Sequence, residues 1–132
     1  MKIIAFDIEE HYSTYEKWCA DRGIFPLAPE ILTTPGWIVI EDGEPMCCCW
    51  SFMSNAVGVF FIASIISNPD ISAQQSVRSL DFLMSSVDEI MKELDYTVGF
   101  TDTPMSSLSH FLVKKGWTLN HQKSNALMKE VA

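Results

Sequence analysis

A run of hydrogen-bonding side chains, Ser72, Gln74, Gln75, Ser76 and Arg78, falls where a turn hands the chain to a helix. Upstream, Val57-Gly58-Val59-Phe60-Phe61-Ile62-Ala63-Ser64-Ile65-Ile66 reads as an apolar strand, Ser67-Asn68-Pro69-Asp70 as a turn, and Ala73 to Leu94 as a long amphipathic helix. A helix start beside a strand end attracts anions, because its first backbone N–H groups lack intrahelical partners and the peptide dipoles add positive potential. This arrangement suits an anionic cofactor. Arg78, one turn into the helix, has two open readings: a contact to a phosphate, or a surface pair with Asp81 or Asp70. The run Cys47-Cys48-Cys49 lacks the two-residue spacer of a zinc knuckle, and with Cys19 it lacks the dispersed pattern of a disulfide scaffold. On a strand, Cys47 and Cys49 face one way while Cys48 and Trp50 face the other, so small buried hydrophobes are expected. His11 and His121 stand without a Cys or carboxylate constellation, and no metal site is predicted.

These residues need elements to hold them, and the composition sets what can be built. The chain has 132 residues, 48% of them hydrophobic, which suffices for one core and not for two ordinary domains. Residues 1–132 are therefore expected to form a single domain. Seventeen acidic residues against nine basic ones give a net charge of -8, which argues against nucleic acid or an anionic membrane as partner and leaves a basic protein open. No stretch approaches the roughly 20 consecutive apolar residues of a membrane span, and Asp7, Glu9 and Glu10 interrupt any signal-like core. A soluble, cytoplasmic protein is expected.

Lys2 to Phe6 reads as a first strand. Ile8 to Asp21 carries Tyr12, Tyr15, Trp18 and Cys19 at helical spacing, with Gly23 placed to end the helix. Pro26, Pro29 and Pro35 bracket a brief helical or irregular stretch. Trp37 to Ile40 and Met46 to Phe52 read as strands joined through Asp42-Gly43, a strong hairpin signal. The run Val57 to Ile66 lacks clean alternation, which predicts a strand covered on both faces at the centre of the sheet. In the following helix Val77, Leu80, Leu83 or Met84, Val87, Ile90 or Met91, and Leu94 form the apolar stripe. Thr97 to Thr101 supplies another strand, and Pro104 opens a helix that buries Leu108, Phe111 and Leu112 and stops at Gly116. Trp117 to Leu119 and Asn125 to Val131 look like a closing pair of strands. The fold class is α+β (α/β), in the order β-α-β-β-β-α-β-α-β.

Particular pieces of this order carry a resemblance. They are Tyr15-Glu16-Lys17-Trp18 with Arg22-Gly23, Pro35-Gly36-Trp37-Ile38-Val39, Gly43-Glu44-Pro45 leading to Trp50-Ser51-Phe52, Ser67-Asn68-Pro69, Arg78-Ser79-Leu80-Asp81, and Ser107-Leu108 through Gly116-Trp117. Together they resemble the GNAT superfamily of N-acetyltransferases, most closely small GNAT-like proteins often encoded by phages and prophages. The resemblance implies a mixed central sheet flanked by helices, with the fourth and fifth strands splayed so that the pantetheine arm of acetyl-CoA pairs with exposed backbone. It places the carrier beside Ile65 and Ile66 and the pyrophosphate over Ser72, Gln74, Gln75, Ser76, Val77 and Arg78.

The sequence departs from the family at two points. Laid from Pro69, the phosphate-loop motif falls on Ser72, Gln75 and Val77, so neither of its glycines is present and side chains narrow the approach to the backbone. The tyrosine that protonates the departing thiolate in many members corresponds to Leu112, which cannot be an acid. Ser109 and His110 nearby are expected as solvated helix residues. Amine acetylation also needs a base. Asp102, at the end of a strand bordering the cleft, is the best candidate, with Glu41, Asp42, Asp7 and Glu10 as others and a helix cap as its ordinary alternative. Two functions stay open: an acetyl-CoA-dependent acyltransferase acting on an amine or a protein lysine, and a catalytically decayed phage protein that binds a host protein in the host cytoplasm. An exposed strand edge leaves a homodimer possible.

Overall fold

A computed structural model describes residues 1–32, 35–103, 105–119 and 129 of the chain. It divides into two units, Met1–Asp102 and a second beginning at Thr103. The first contains strand β1 (Lys2–Ala5), helix α1 (Ile8–Asp21), strands β2 (Gly36–Glu41), β3 (Glu44–Met53) and β4 (Val59–Ser67), helix α2 (Ala73–Glu93) and strand β5 (Val98–Thr101). The five strands form one sheet in the order β1-β2-β3-β4-β5. All neighbours run antiparallel except β4 and β5, which are parallel.

Local chemistry sets the element ends. Asp7 caps α1 by accepting from the Glu9 and Glu10 amides at 2.9 and 3.2 Å, which satisfies donors that the first turn leaves open. Gly23 adopts φ +66° just past the helix, and the Ile24 amide reaches back to the Cys19 carbonyl at 2.8 Å, the hydrogen-bonded ending that a left-handed glycine permits. The helix buries His11, Tyr15, Trp18 and Cys19, so the aromatic stripe is core. Asp42 and Gly43 both have positive φ, 51° and 78°, and pair Glu41 with Glu44 in the tight hairpin that Asp-Gly favours. The four cysteines are free and buried, with Cys47, Cys48, Cys49 and Trp50 wholly excluded from solvent in β3. The middle strand is therefore β3, not the apolar run that follows it.

That run differs from its reading in two further ways. The strand begins at Val59, because Gly58 turns the chain at φ +76° and leaves Val57 fully exposed. Nor is β4 covered on both faces: Phe60 and Ile62 are buried while Phe61 is 46% exposed. Helix α2 buries Ser79, Leu83, Met84, Val87 and Met91, whereas Val77 and Leu94, placed on the stripe by spacing, are exposed. Small Ser79 occupies the position of close approach and interacts with Cys47 of β3. Val77 lies about 200° around the helix from it and so points away from the sheet.

In the second unit α3 spans Ser106–Lys114 with Leu108 and Leu112 buried, and Gly116 closes it at φ +101°. Its N-cap is Met105, without a side-chain cap, so Asp102 does not serve as the cap that was its ordinary reading. Trp117 to Leu119 is irregular rather than a strand, since the Trp117 amide is taken by the Leu112 carbonyl at 3.0 Å as part of the helix ending. The strand expected over Asn125 to Val131 lies, apart from Lys129, outside the described residues. No helix among the described residues is long and apolar enough to cross a membrane.

Candidate functional site

The parallel pair β4–β5 is short. Val59, Phe60, Phe61 and Ile62 pair with Val98, Gly99, Phe100 and Thr101, and the Thr101 hydroxyl donates to the Ile62 carbonyl at 2.7 Å. There β5 ends, while β4 runs on to Ser67. On that side β4 has no strand partner beyond Ile62 among the described residues, and unpaired strand backbone can take an extended guest. The stretch is also kinked. On β3, Cys48 pairs with Ile66 and Trp50 with Ala63, so Ser64 and Ile65 together oppose Cys49 in a β-bulge. Ser64 has φ +53°, a region costly for a side-chain-bearing residue. Its hydroxyl lies 2.9 Å from the Tyr15 hydroxyl, and Tyr15 in turn accepts from the Leu27 amide at 3.0 Å.

At its far end β4 meets the start of α2 through a polar cluster. Arg22, the residue that ends α1, donates from Nε to the Ser67 carbonyl at 3.1 Å and from Nη2 to the Ser67 hydroxyl at 2.9 Å. The Ser76 hydroxyl, in the first turn of α2, donates to the same Ser67 oxygen at 2.9 Å. No carboxylate pairs with Arg22 among the described residues, so three of its five N–H groups and its charge remain available. Nearby, Lys17 Nζ sits 3.8 Å from carboxylate oxygens of both Asp21 and Asp70.

Known structures place this geometry. No protein-family model matches the sequence, and no curated protein matches it. Among solved structures, a probable acetyltransferase superimposes with a TM-score of 0.70 at 13% identity, over 100% of this chain and 99% of that one. An aminoglycoside acetyltransferase from an uncultured soil metagenomic sample, solved with sisomicin, gives 0.75 at 9% identity over 98% and 96% of the two chains. N-acetylglutamate synthase from Neisseria gonorrhoeae, solved with coenzyme A and N-acetyl-glutamate, gives 0.66 at 11% identity, covering 87% of this chain and 27% of its own. The fold is GNAT-like.

Within this GNAT-like fold the predicted site residues separate. Ser72 and Gln75 cap each other: the Ser72 hydroxyl accepts from the Gln75 amide at 3.1 Å and the Gln75 side chain accepts from the Ser72 amide at 2.9 Å, a capping box. The Ser76 amide bonds the Ser72 carbonyl, so Ala73 and Gln74 supply the first-turn amides without an internal partner among the described residues. Val77 is exposed and does not block the junction. Ile65 is half-buried, whereas Ile66 belongs to the buried cluster around Trp50, so any contact of Ile66 with a guest is through its backbone. Arg78 bonds both Glu41 carboxylate oxygens at 2.8 Å. This pair holds Arg78 over β2, with β3 and β4 between it and the open edge.

The carboxylates separate as well. Asp7 is spent on the α1 cap, Glu41 on Arg78, and Asp42 on the hairpin turn. Asp102 follows the last β4–β5 pair and is exposed where the strands part. Burial pushes the Tyr15 hydroxyl up to about 12 and the Cys47 thiol up to about 12, and also raises Cys48 and Cys49. These groups stay protonated at neutral pH, where a thiol is a poor nucleophile beside its thiolate. Among the described residues no group of three or more His, Cys, Asp or Glu side chains could hold a metal. Sequence reasoning passed over Arg22, which the fold brings to the β4–α2 junction. For Arg22 a signal existed, because a cation directly before a helix-ending glycine must sit at the helix terminus.

Proposed function

We propose that the chain is an acyl-CoA-dependent N-acyltransferase, with acetyl-CoA as donor and direct transfer to an amine. The observation that carries this reading is the parting of β4 and β5 after Ile62 and Thr101, beside the start of α2. An extended acyl-pantetheine would lie along residues 63–67 and pair with the open backbone, as an added strand does. The pyrophosphate would rest at the β4–α2 junction, taken by the Ala73 and Gln74 amides and by Arg22. Ser72, Gln75 and Ser76 shape that junction rather than ligate with their side chains, and Arg78 stands outside it. Asp102, exposed at the mouth, would take the amine proton through water, the role for which a carboxylate is suited. The net charge of -8 favours a cationic acceptor, either a small amine or a lysine of a basic protein, met in the cytoplasm.

A second reading is kept for one specific observation. Ser72 and Gln75 close each other's amides, and Gln75 stands where a phosphate loop needs glycine, which fits a GNAT-like phage protein that binds a host protein without catalysis. Calorimetric titration with acetyl-CoA separates the two. Binding at micromolar to sub-millimolar concentration is expected, and none at millimolar acetyl-CoA would sink the transferase in favour of the binding protein.

A further inference from the structure

Where the acyl end of a carrier held along residues 63–67 would go is set by the two faces of the sheet at the last β4–β5 pairs. Side chains alternate along a strand, so Phe61 and Ala63 share the face of their β3 partners Phe52 and Trp50, while Phe60 and Ile62 lie on the other. That other face is closed. Phe60 and Ile62 are buried, and the Phe60 ring lies over Gly99, 2.6 Å from where a Cβ would stand. The same ring meets Tyr96 edge-on at 6.0 Å.

The face shared by Phe61 and Ala63 is open there. The core under α1, built on Tyr15, Trp18 and Trp50, takes in Phe52 at its margin, and beyond Phe52 the register sets Phe61 and then Phe100 in one row. Phe61 and Phe100 stack at 5.6 Å between ring centroids and remain 46% and 43% exposed. Val59 and Val98 pair beside them on the same face, with Val98 exposed as well. No charged residue occurs from Met46 to Pro69 or from Tyr96 to Thr101, in a chain whose net charge is -8. The row is an apolar shelf that begins at the next-to-last pair before the strands part.

We propose that this shelf holds the acyl group of the donor, and that the donor is a CoA thioester of a medium-length apolar acid, bound more tightly than acetyl-CoA. This deepens the transferase reading above and rests on it. The arm ends beside Ala63, and the Ile62–Thr101 pair bars it from continuing in the plane of the sheet. Buried Phe60 and Ile62 bar one face, so a chain longer than acetyl turns onto Phe61 and Phe100, about 7 Å from Ala63 along the strand. An acetyl group ends at its methyl and stops short of the rings. Each further CH2 displaces water from them, which is favourable. A cationic acceptor finds no carboxylate on the shelf, whereas a chain attached to the carrier is delivered to it.

Calorimetric titration with CoA, acetyl-CoA, butyryl-CoA and hexanoyl-CoA reads the shelf directly. Phe61→Thr and Phe100→Thr are the variants on it, and Val57→Thr, at a fully exposed apolar residue outside the row, is the control. Affinity of the wild type should rise about two- to fourfold per added CH2, the range from half to full burial. Phe61→Thr and Phe100→Thr should flatten the series while leaving the affinity for CoA itself within about twofold, and Val57→Thr should leave the series steep. A flat or falling series in a wild type that binds CoA and acetyl-CoA overturns the acyl assignment and leaves the transferase reading standing. A rising series retained by both phenylalanine variants overturns it too. A wild type that sediments as a dimer, loses the dimer in Phe100→Thr and shows a flat series gives the shelf to a second copy, and again overturns it. Failure of the wild type to bind CoA or any of the thioesters overturns both readings.

Discussion

Replacing Arg22 or Arg78 by alanine separates the site argued from the geometry from the site read off the sequence. Arg22→Ala removes two hydrogen bonds from a charged donor to Ser67. At about 1.5–3 kcal/mol for a bond to a charged group, discounted because Arg22 is only half-buried, the expected stability loss is about 2–3 kcal/mol. A lost charge-assisted contact to phosphate of the same order weakens acetyl-CoA binding about 10- to 150-fold. Arg78→Ala breaks one pair with Glu41 in which the arginine is exposed, so it should change stability by about 0.2–1 kcal/mol and leave affinity within about twofold. Urea denaturation gives the first quantity and calorimetric titration with acetyl-CoA the second, below the unfolding range of each variant. Because Arg22→Ala alters both, Arg22→Gln is the decisive variant: it keeps a donor for Ser67 and removes the charge, so the fold should be largely retained while affinity still falls. The reasoning is refuted if Arg22→Gln binds like the wild type, or if Arg78→Ala costs more affinity than either Arg22 variant.

Two further perturbations test the scaffold. A Cβ at Gly36 would overlap Trp50 Nε1 and lie 2.6 Å from its Cδ1 and 3.1 Å from Phe6 Cβ, against a tryptophan gripped by Phe6 and Tyr15 at ring distances of 4.6 and 4.7 Å. Gly36→Ala should therefore destabilise by about 1–3 kcal/mol, visible as a lower thermal midpoint, and an unchanged midpoint would mean the Trp50 packing is wrong. Stability should also fall with rising pH from about 9. Folded Cys47 and Tyr15 titrate near 12 because burial disfavours their anions, whereas the unfolded thiol and phenol ionise near 9 and 10. The stabilisation is complete below the unfolded values and is lost between them and the folded ones, at about 1.4 kcal/mol per pH unit for each group. Urea midpoints at pH 8, 9.5 and 10.5 check this, and a flat profile would contradict the burial of these groups.

What the sequence determined by itself is local. The Asp-Gly hairpin, the helix ending at Gly23, the aromatic stripe of α1 and the apolar stripe in the middle of α2 follow from backbone preference and period, because each depends on neighbours a few residues away. The order of elements from β1 to α3 was legible for the same reason, and with it the GNAT-like scaffold. Tertiary structure decided which groups meet. Arg22 reaches Ser67, 45 residues along, Arg78 crosses to Glu41 on β2, and Tyr15 meets Ser64 at a bulge whose register no period encodes. The apolar run of β4 misled because composition does not reveal what packs on each face of a strand. Phe61 is exposed although it pairs with Phe100, and beyond Ile62 β4 has no further β5 partner among the described residues. Side-chain partners across the sheet depend on strand order, register and the place where one strand ends before another, and these are properties of the assembled layer rather than of any segment.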